Sequence, residues 1–195
     1  MPPDKGQPLV AVLAAGLASR FGGGKLDAMC AGKPLGKWVL DAVEAAGMPP
    51  GVIVVGPDAP QFVTGAGDWR LAVNDSPGEG LGQSVAIAAQ KALRLRRSLL
   101  ILLADMPLVT ADHMQHLASS GGTAATRYPD GRVGVPAFIP ASEVGVLTRL
   151  EGTGGAAALL GANADLHVVE ADPRILLDVD RSADLAAVEA MLKAR

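Results

Sequence analysis

Two cations and a run of glycines close to the start of the chain have the makings of a polyphosphate site. An apolar stretch, Leu9-Val10-Ala11-Val12-Leu13-Ala14-Ala15, stops at Gly16, and a loop of small residues carries Arg20 and then Gly22-Gly23-Gly24-Lys25. Glycine lets the main chain approach a ligand closely and present bare N–H groups. Arg20 and Lys25 add positive charge, each charge-assisted hydrogen bond being worth about 1.5–3 kcal/mol. The loop is therefore read as holding a nucleoside triphosphate. Two common nucleotide motifs are excluded by their letters. A P-loop needs a glycine where Ser19 stands and a hydroxyl where Leu26 follows Lys25. A dinucleotide fingerprint fails both at Gly16-Leu17-Ala18 and at Gly65-Ala66-Gly67.

The second chemical feature lies far along the chain. Asp105 follows the most uniformly apolar run, Ser98 to Ala104. A carboxylate at such a strand end lies where open α/β sheets bind ligands, and it suits Mg²⁺, which takes hard oxygen ligands together with substrate phosphates. The competing reading is a turn cap before Pro107. Either Asp178 or Asp180 could approach the metal from a neighbouring strand end. Asp178 is placed second to Asp105, and Asp180, which could equally cap the last helix, is read as that cap. Asn74 and Ser84 are candidate base or ribose contacts, balanced against turn-forming roles. His113 and His116 stand three apart without a third ligand in register, so they are assigned to a partly exposed helix face. His167 is assigned a structural role, and Cys30, lacking a partner cysteine, is a small core residue.

Alternating strands and helices must position these groups. Strands are expected at 51–56, 70–74, 98–104, 123–128, 133–139, 166–170 and 175–179, besides the first run. Helices are expected from Pro34 to Gly47, Leu81 to Arg97, Thr110 (as N-cap) to Leu117, about 142–150, 155–160 and 182–193. Arg94, Arg96 and Arg97 complement the carboxyl end of the second helix. The pattern predicts one three-layer α/β domain over 1–195 with a mostly parallel mixed sheet, with residues 1–8 expected to be a disordered extension.

Composition narrows the partners. Of 195 residues 49% are hydrophobic and only 3% aromatic, so Ala, Val and Leu must build the core. A net charge of -3 gives no support for nucleic acid. No stretch resembles a signal peptide or a membrane span, and a single cysteine fits a reducing compartment, so a cytoplasmic location is expected.

Leu13-Ala14-Ala15-Gly16-Leu17-Ala18-Ser19-Arg20-Phe21 and the glycines up to Lys25 resemble the signature loop of the MobA-like nucleotidyltransferases. Glu79-Gly80-Leu81-Gly82-Gln83-Ser84, Leu102-Leu103-Ala104-Asp105-Met106-Pro107 and Asp178-Val179-Asp180-Arg181-Ser182-Ala183-Asp184-Leu185 resemble further motifs of that family in the same order. The resemblance implies a Rossmann-like nucleotidyltransferase fold and in-line attack of an acceptor oxygen on an α-phosphate with loss of pyrophosphate. The N–H groups of Leu13, Ala14, Ala15 and Gly16 then meet base and sugar, those of Gly22, Gly23 and Gly24 reach the outer phosphates, and Arg20, Lys25 and Asp105 are the catalytic set, with Mg²⁺ on Asp105 and Asp178. Ala15 resembles the molybdenum-cofactor cytidylyltransferase branch, which implies CTP rather than GTP, a phosphate-bearing acceptor such as molybdopterin, and a molybdoenzyme or chaperone as partner. The acceptor side departs from the pattern. Gly134-Val135-Pro136 lacks the usual polar residue, Gly152-Thr153-Gly154-Gly155-Ala156-Ala157 lacks an arginine, and Asp27 replaces an apolar residue. Those departures motivate two alternatives: a redox-associated relative reusing the fold, and a non-catalytic module that delivers cofactor to a partner.

Overall fold

The computed structural model describes residues 6–150 and 160–194. A seven-stranded sheet runs in the order β5-β4-β1-β6-β8-β7-β9. Its strands are β1 (Leu9–Ala14), β4 (Val52–Val55), β5 (Arg70–Val73), β6 (Leu99–Leu103), β7 (Ala124–Arg127), β8 (Val133–Ile139) and β9 (His167–Val169). The half from β5 to β6 is parallel, while β8 runs antiparallel to both β6 and β7. The sheet is thus mixed and mostly parallel, as expected.

Alternation along the strands builds two cores. Val10, Val12, Ile53, Val55, Leu100 and Leu102 face helices α1 (Lys37–Ala45), α3 (Ala111–Ala118) and α4 (Ser182–Lys193). Leu9, Ala11, Leu13, Val54 and Ile101 face α2 (Leu81–Leu95). The α2 face is built from Val85, Ala88, Ala89 and Ala92, whose short side chains let the helix lie close to the sheet. β1 and β6, covered on both faces, are almost wholly apolar for that reason.

Several expected elements differ. Pro34 does not open a helix: β2 (Met29–Cys30) and β3 (Lys33–Pro34) form a small hairpin, turned by Ala31 and Gly32 at φ 48° and 88°. Positive φ at both turn residues is the hairpin geometry that matches strand twist, and α1 starts only after Gly36. Residues 144–149 form a 3₁₀ helix, consistent with Gly145 and the β-branched Val144, Val146 and Thr148, which all disfavour an α-helix. Instead of a strand at 175–179, Pro173–Leu176 is a 3₁₀ turn whose first N–H groups are capped by Asp172. The helix expected at 155–160 and the Gly152–Ala157 departure fall largely or wholly outside the described residues. Gln7 and Pro8, assigned to the N-terminal extension, are tethered: both carbonyls accept from Arg97, and Gln7 Nε2 donates to Gly47. Among the described residues, no helix is long and apolar enough to cross a membrane.

Candidate active site

The loop after β1 turns on itself before it reaches Lys25. Phe21 and Gly23 N–H both donate to the Ala18 carbonyl, at 3.0 and 3.2 Å. Gly22, Gly23 and Gly24 all have positive φ (90°, 97° and 62°), a path that a side chain at these positions would strain. Of the three glycine N–H groups expected to face phosphate, that of Gly23 is therefore spent in closing the loop. Ala14, Ala15, Gly16 and Gly24 line a cleft of about 390 Å³, with Gly56 to Gln61 and Pro77 opposite. Leu13 does not reach it. It lies in the sheet between Val54 and Leu103 and packs in the α2-side core.

Lys25 is drawn inward. Its side chain is only 9% exposed, and its Nζ donates to Asp105 Oδ2 at 2.7 Å and lies 3.5 Å from Asp180 Oδ1. Asp180 Oδ2 accepts from Arg20 Nη1 at 3.1 Å. Loop cations and strand-end carboxylates 80 to 160 residues apart thus form one cluster. Asp105 is not an unpaired carboxylate, and its alternative role as a mere turn cap does not account for the lysine. Asp180 is not the cap expected for α4: Asp184 fills that role, accepting the N–H groups of Asp180 and Arg181 at 3.0 and 2.7 Å. A backbone bond from Val179 N–H to the Asp105 carbonyl (3.0 Å) holds the two acidic segments together.

Asp178 is exposed, yet its carboxyl pKa is raised. Partial loss of hydration is the larger cause, followed by the negative charge of Asp105, with Asp180 adding and Lys25 opposing. Asp105 and Asp178 therefore stand close enough to repel. Among the described residues no group of three or more His, Cys, Asp or Glu is placed to hold a metal ion. Two carboxylates at a phosphate site still fit Mg²⁺, which keeps waters and substrate oxygens and needs few protein ligands.

Other candidates take different places. Asn74 and Ser84 are buried, Asn74 Nδ2 donates to Ser84 Oγ at 2.9 Å, and Asn74 Oδ1 accepts from Ser76 N–H. They brace the corner between β5 and α2 rather than line the cleft, so the turn-forming reading is the one the geometry supports. His113 is buried, not on an exposed face, with its Nε2 2.8 Å from Thr126 Oγ1. That hydroxyl donates to the Pro136 carbonyl, so it accepts from the imidazole. Burial lowers the His113 pKa, and His116 lowers it further. Cys30 is fully buried, as expected.

Two residues acquire roles that the sequence did not announce. Asp27 accepts the N–H groups of Gln61 and Phe62 at 2.9 and 2.7 Å, capping the 3₁₀ helix Gln61–Gly65 beside the cleft. Tyr128 donates to the Val135 carbonyl, and burial together with Asp178 and Asp105 pushes its pKa up to about 12. It also lines a larger hollow of about 740 Å³ with Leu81, Val133, Val135, Leu166 and Val168. Arg132 in that hollow is paired with Asp130 at 2.6 Å.

Comparison with known proteins bears on family and fold. The MobA-like NTP transferase domain matches residues 10–168. The bifunctional proteins GlmU of Pelobacter propionicus and Caldanaerobacter subterraneus are 34% and 33% identical, over 59% and 54% of this chain. The chain spans only about a quarter of their length, since the matches cover 26% and 23% of them. The fold matches Rv0371c of Mycobacterium tuberculosis (TM-score 0.80, 23% identity, 95% of this chain and 99% of that one). A manganese complex of Rv0371c gives a TM-score of 0.74 at 24% identity, covering 95% and 99% of the two chains. Molybdopterin-guanine dinucleotide biosynthesis protein A of Archaeoglobus fulgidus gives 0.68 at 21% identity, again covering 95% and 99%. The chain belongs to the MobA-like NTP transferase family.

Proposed function

We propose that this chain is a metal-dependent nucleotidyltransferase that moves a nucleoside monophosphate from a triphosphate, CTP before GTP, to a phosphate-bearing acceptor of the molybdopterin kind. The observation that carries this reading is the meeting of Lys25 with Asp105, 2.7 Å apart across 80 residues and joined by Arg20 through Asp180. Arg20 and Lys25 would neutralise the phosphates, and the 390 Å³ cleft would take base and sugar. Asp105 and Asp178 would hold Mg²⁺, which supplies charge stabilisation on the phosphate oxygens. The manganese complex of a protein with this fold supports a divalent ion without selecting one. The acceptor would approach from the 740 Å³ hollow, whose Tyr128 feels the charge of Asp178 and Asp105. Preference for CTP rests on the resemblance at Ala15.

Thermal shifts with CTP, GTP, ATP and UTP, each with Mg²⁺ or Mn²⁺, test the nucleotide half, because a ligand bound only by the native state raises its melting point. CTP with metal is expected to give the largest shift, and no shift with any nucleotide sinks the proposal. Pyrophosphate release with molybdenum cofactor tests the acceptor. Asp105→Asn is expected to abolish release while leaving the far-UV spectrum unchanged, and undiminished turnover removes Asp105 from the mechanism.

A further inference from the structure

Asp180 meets the two loop cations with separate oxygens, Oδ2 accepting from Arg20 at 3.1 Å and Oδ1 facing Lys25 at 3.5 Å. One carboxylate thus occupies both cations that the nucleotide reading reserves for phosphate. Its backbone is fixed, since Asp184 accepts its N–H and Val179 is bonded to Asp105. Its side chain is not fixed in that way: it is 42% exposed and Arg20 is 73% exposed, so the two can part without opening the core. We propose that Asp180 is an internal counter-ion of the phosphate loop, holding Arg20 and Lys25 until a triphosphate displaces it.

The proposal rests on the nucleotide reading above and adds a consequence that reading lacks. A triphosphate carries more charge than one carboxylate and wins the cations, but it must first break two ion pairs. The displaced carboxylate is then left beside Asp105 and Asp178 with its cationic partners taken away. Three like charges in one place are costly, and a divalent cation relieves that cost. Metal and nucleotide therefore favour each other, reciprocally, through Asp180.

Calorimetric affinities for CTP and for tripolyphosphate, each in EDTA and in Mg²⁺, test this. In EDTA, Asp180→Asn is expected to tighten both probes about three- to tenfold, the scale of one exposed and one part-buried ion pair. Asp180→Ala is expected to move the affinities in the same direction. Asp75→Asn, which removes an exposed negative charge from the loop after β5, outside the cleft lining, is expected to change them about twofold or less. On an Arg20→Gln background the gain from Asp180→Asn shrinks toward that control, and the benefit of Mg²⁺ is smaller in Asp180→Asn than in wild type. An Asp180→Asn gain that is absent, or matched by Asp75→Asn, overturns the counter-ion while leaving the nucleotide site standing. Wild-type protein that binds neither probe in either buffer overturns both.

Discussion

At the scale of single residues, one charged group at the site, Asp178, is held at a cost to stability. Asp178 has a raised pKa because it loses hydration and faces Asp105. A carboxyl whose folded pKa lies above its unfolded value destabilises the fold wherever it is ionised. Asp178→Asn is therefore expected to raise the melting temperature at pH 7 while lowering turnover, and the gain should fade as pH drops through the folded pKa. An unchanged melting point at pH 7 contradicts the repulsion. His113 works in the opposite pH sense. Its folded pKa lies below the ordinary 6.5, so the unfolded chain takes up the proton first as pH falls. The stability it contributes is complete above about pH 6.5 and is lost between there and the folded pKa. Melting curves of His113→Gln are expected to lack that component of the acid slope. Equal slopes in both proteins exclude His113 as its source.

At the scale of elements, the cleft depends on short pieces that no periodicity announces. Asp27 ties the segment after β1 to the 3₁₀ helix at 61–65 through two backbone N–H groups. Asp27→Ala is expected to cost about 1–2 kcal/mol by urea unfolding and to weaken nucleotide binding through the loosened cleft wall. A loss under about 0.3 kcal/mol denies it the capping role, since that is well below the cost of losing a helix cap. Gly51 shows a harder constraint: a Cβ there would lie 2.0 Å from the Val10 carbonyl oxygen. Backbone cannot swing away as a side chain can, so Gly51→Ala is expected to cost about 3 kcal/mol or more by urea unfolding. A cost under about 1 kcal/mol would show that β1 and β4 can move apart. Long periodic elements were readable because burial wrote them: β1, β6 and α2 follow from where Val, Leu and Ala fall. The β2–β3 hairpin was not readable, since its turn uses an alanine at positive φ. Asp180 escapes a local reading because an aspartate just ahead of a helix has the same signature whether it caps that helix or pairs with cations from elsewhere in the chain. Only the fold brings Arg20 to it from 160 residues away.

At the scale of the molecule, the site is where the two ends of the chain meet over the carboxyl ends of the central parallel strands. β1 supplies the loop, β6 leads to Asp105, and the segment entering α4 is bonded back to Asp105 through Val179. Ligand strength at the loop must therefore be felt at 178–181, although those residues enter the sequence last. Hydrogen exchange read by mass spectrometry makes this testable. CTP with Mg²⁺ is expected to slow exchange both in peptides covering 16–26 and in peptides covering 178–184, with little change in the doubly covered strands β1 and β6, whose burial is expected to limit their exchange to global unfolding. Protection confined to 16–26 would show that the loop binds nucleotide alone and that its ion pairs with Asp180 and Asp105 carry no energy between the two ends. Protection at both, lost at 178–184 when EDTA replaces Mg²⁺, would show that the metal on the acidic residues, rather than the Arg20–Asp180 pair that nucleotide displaces, transmits it.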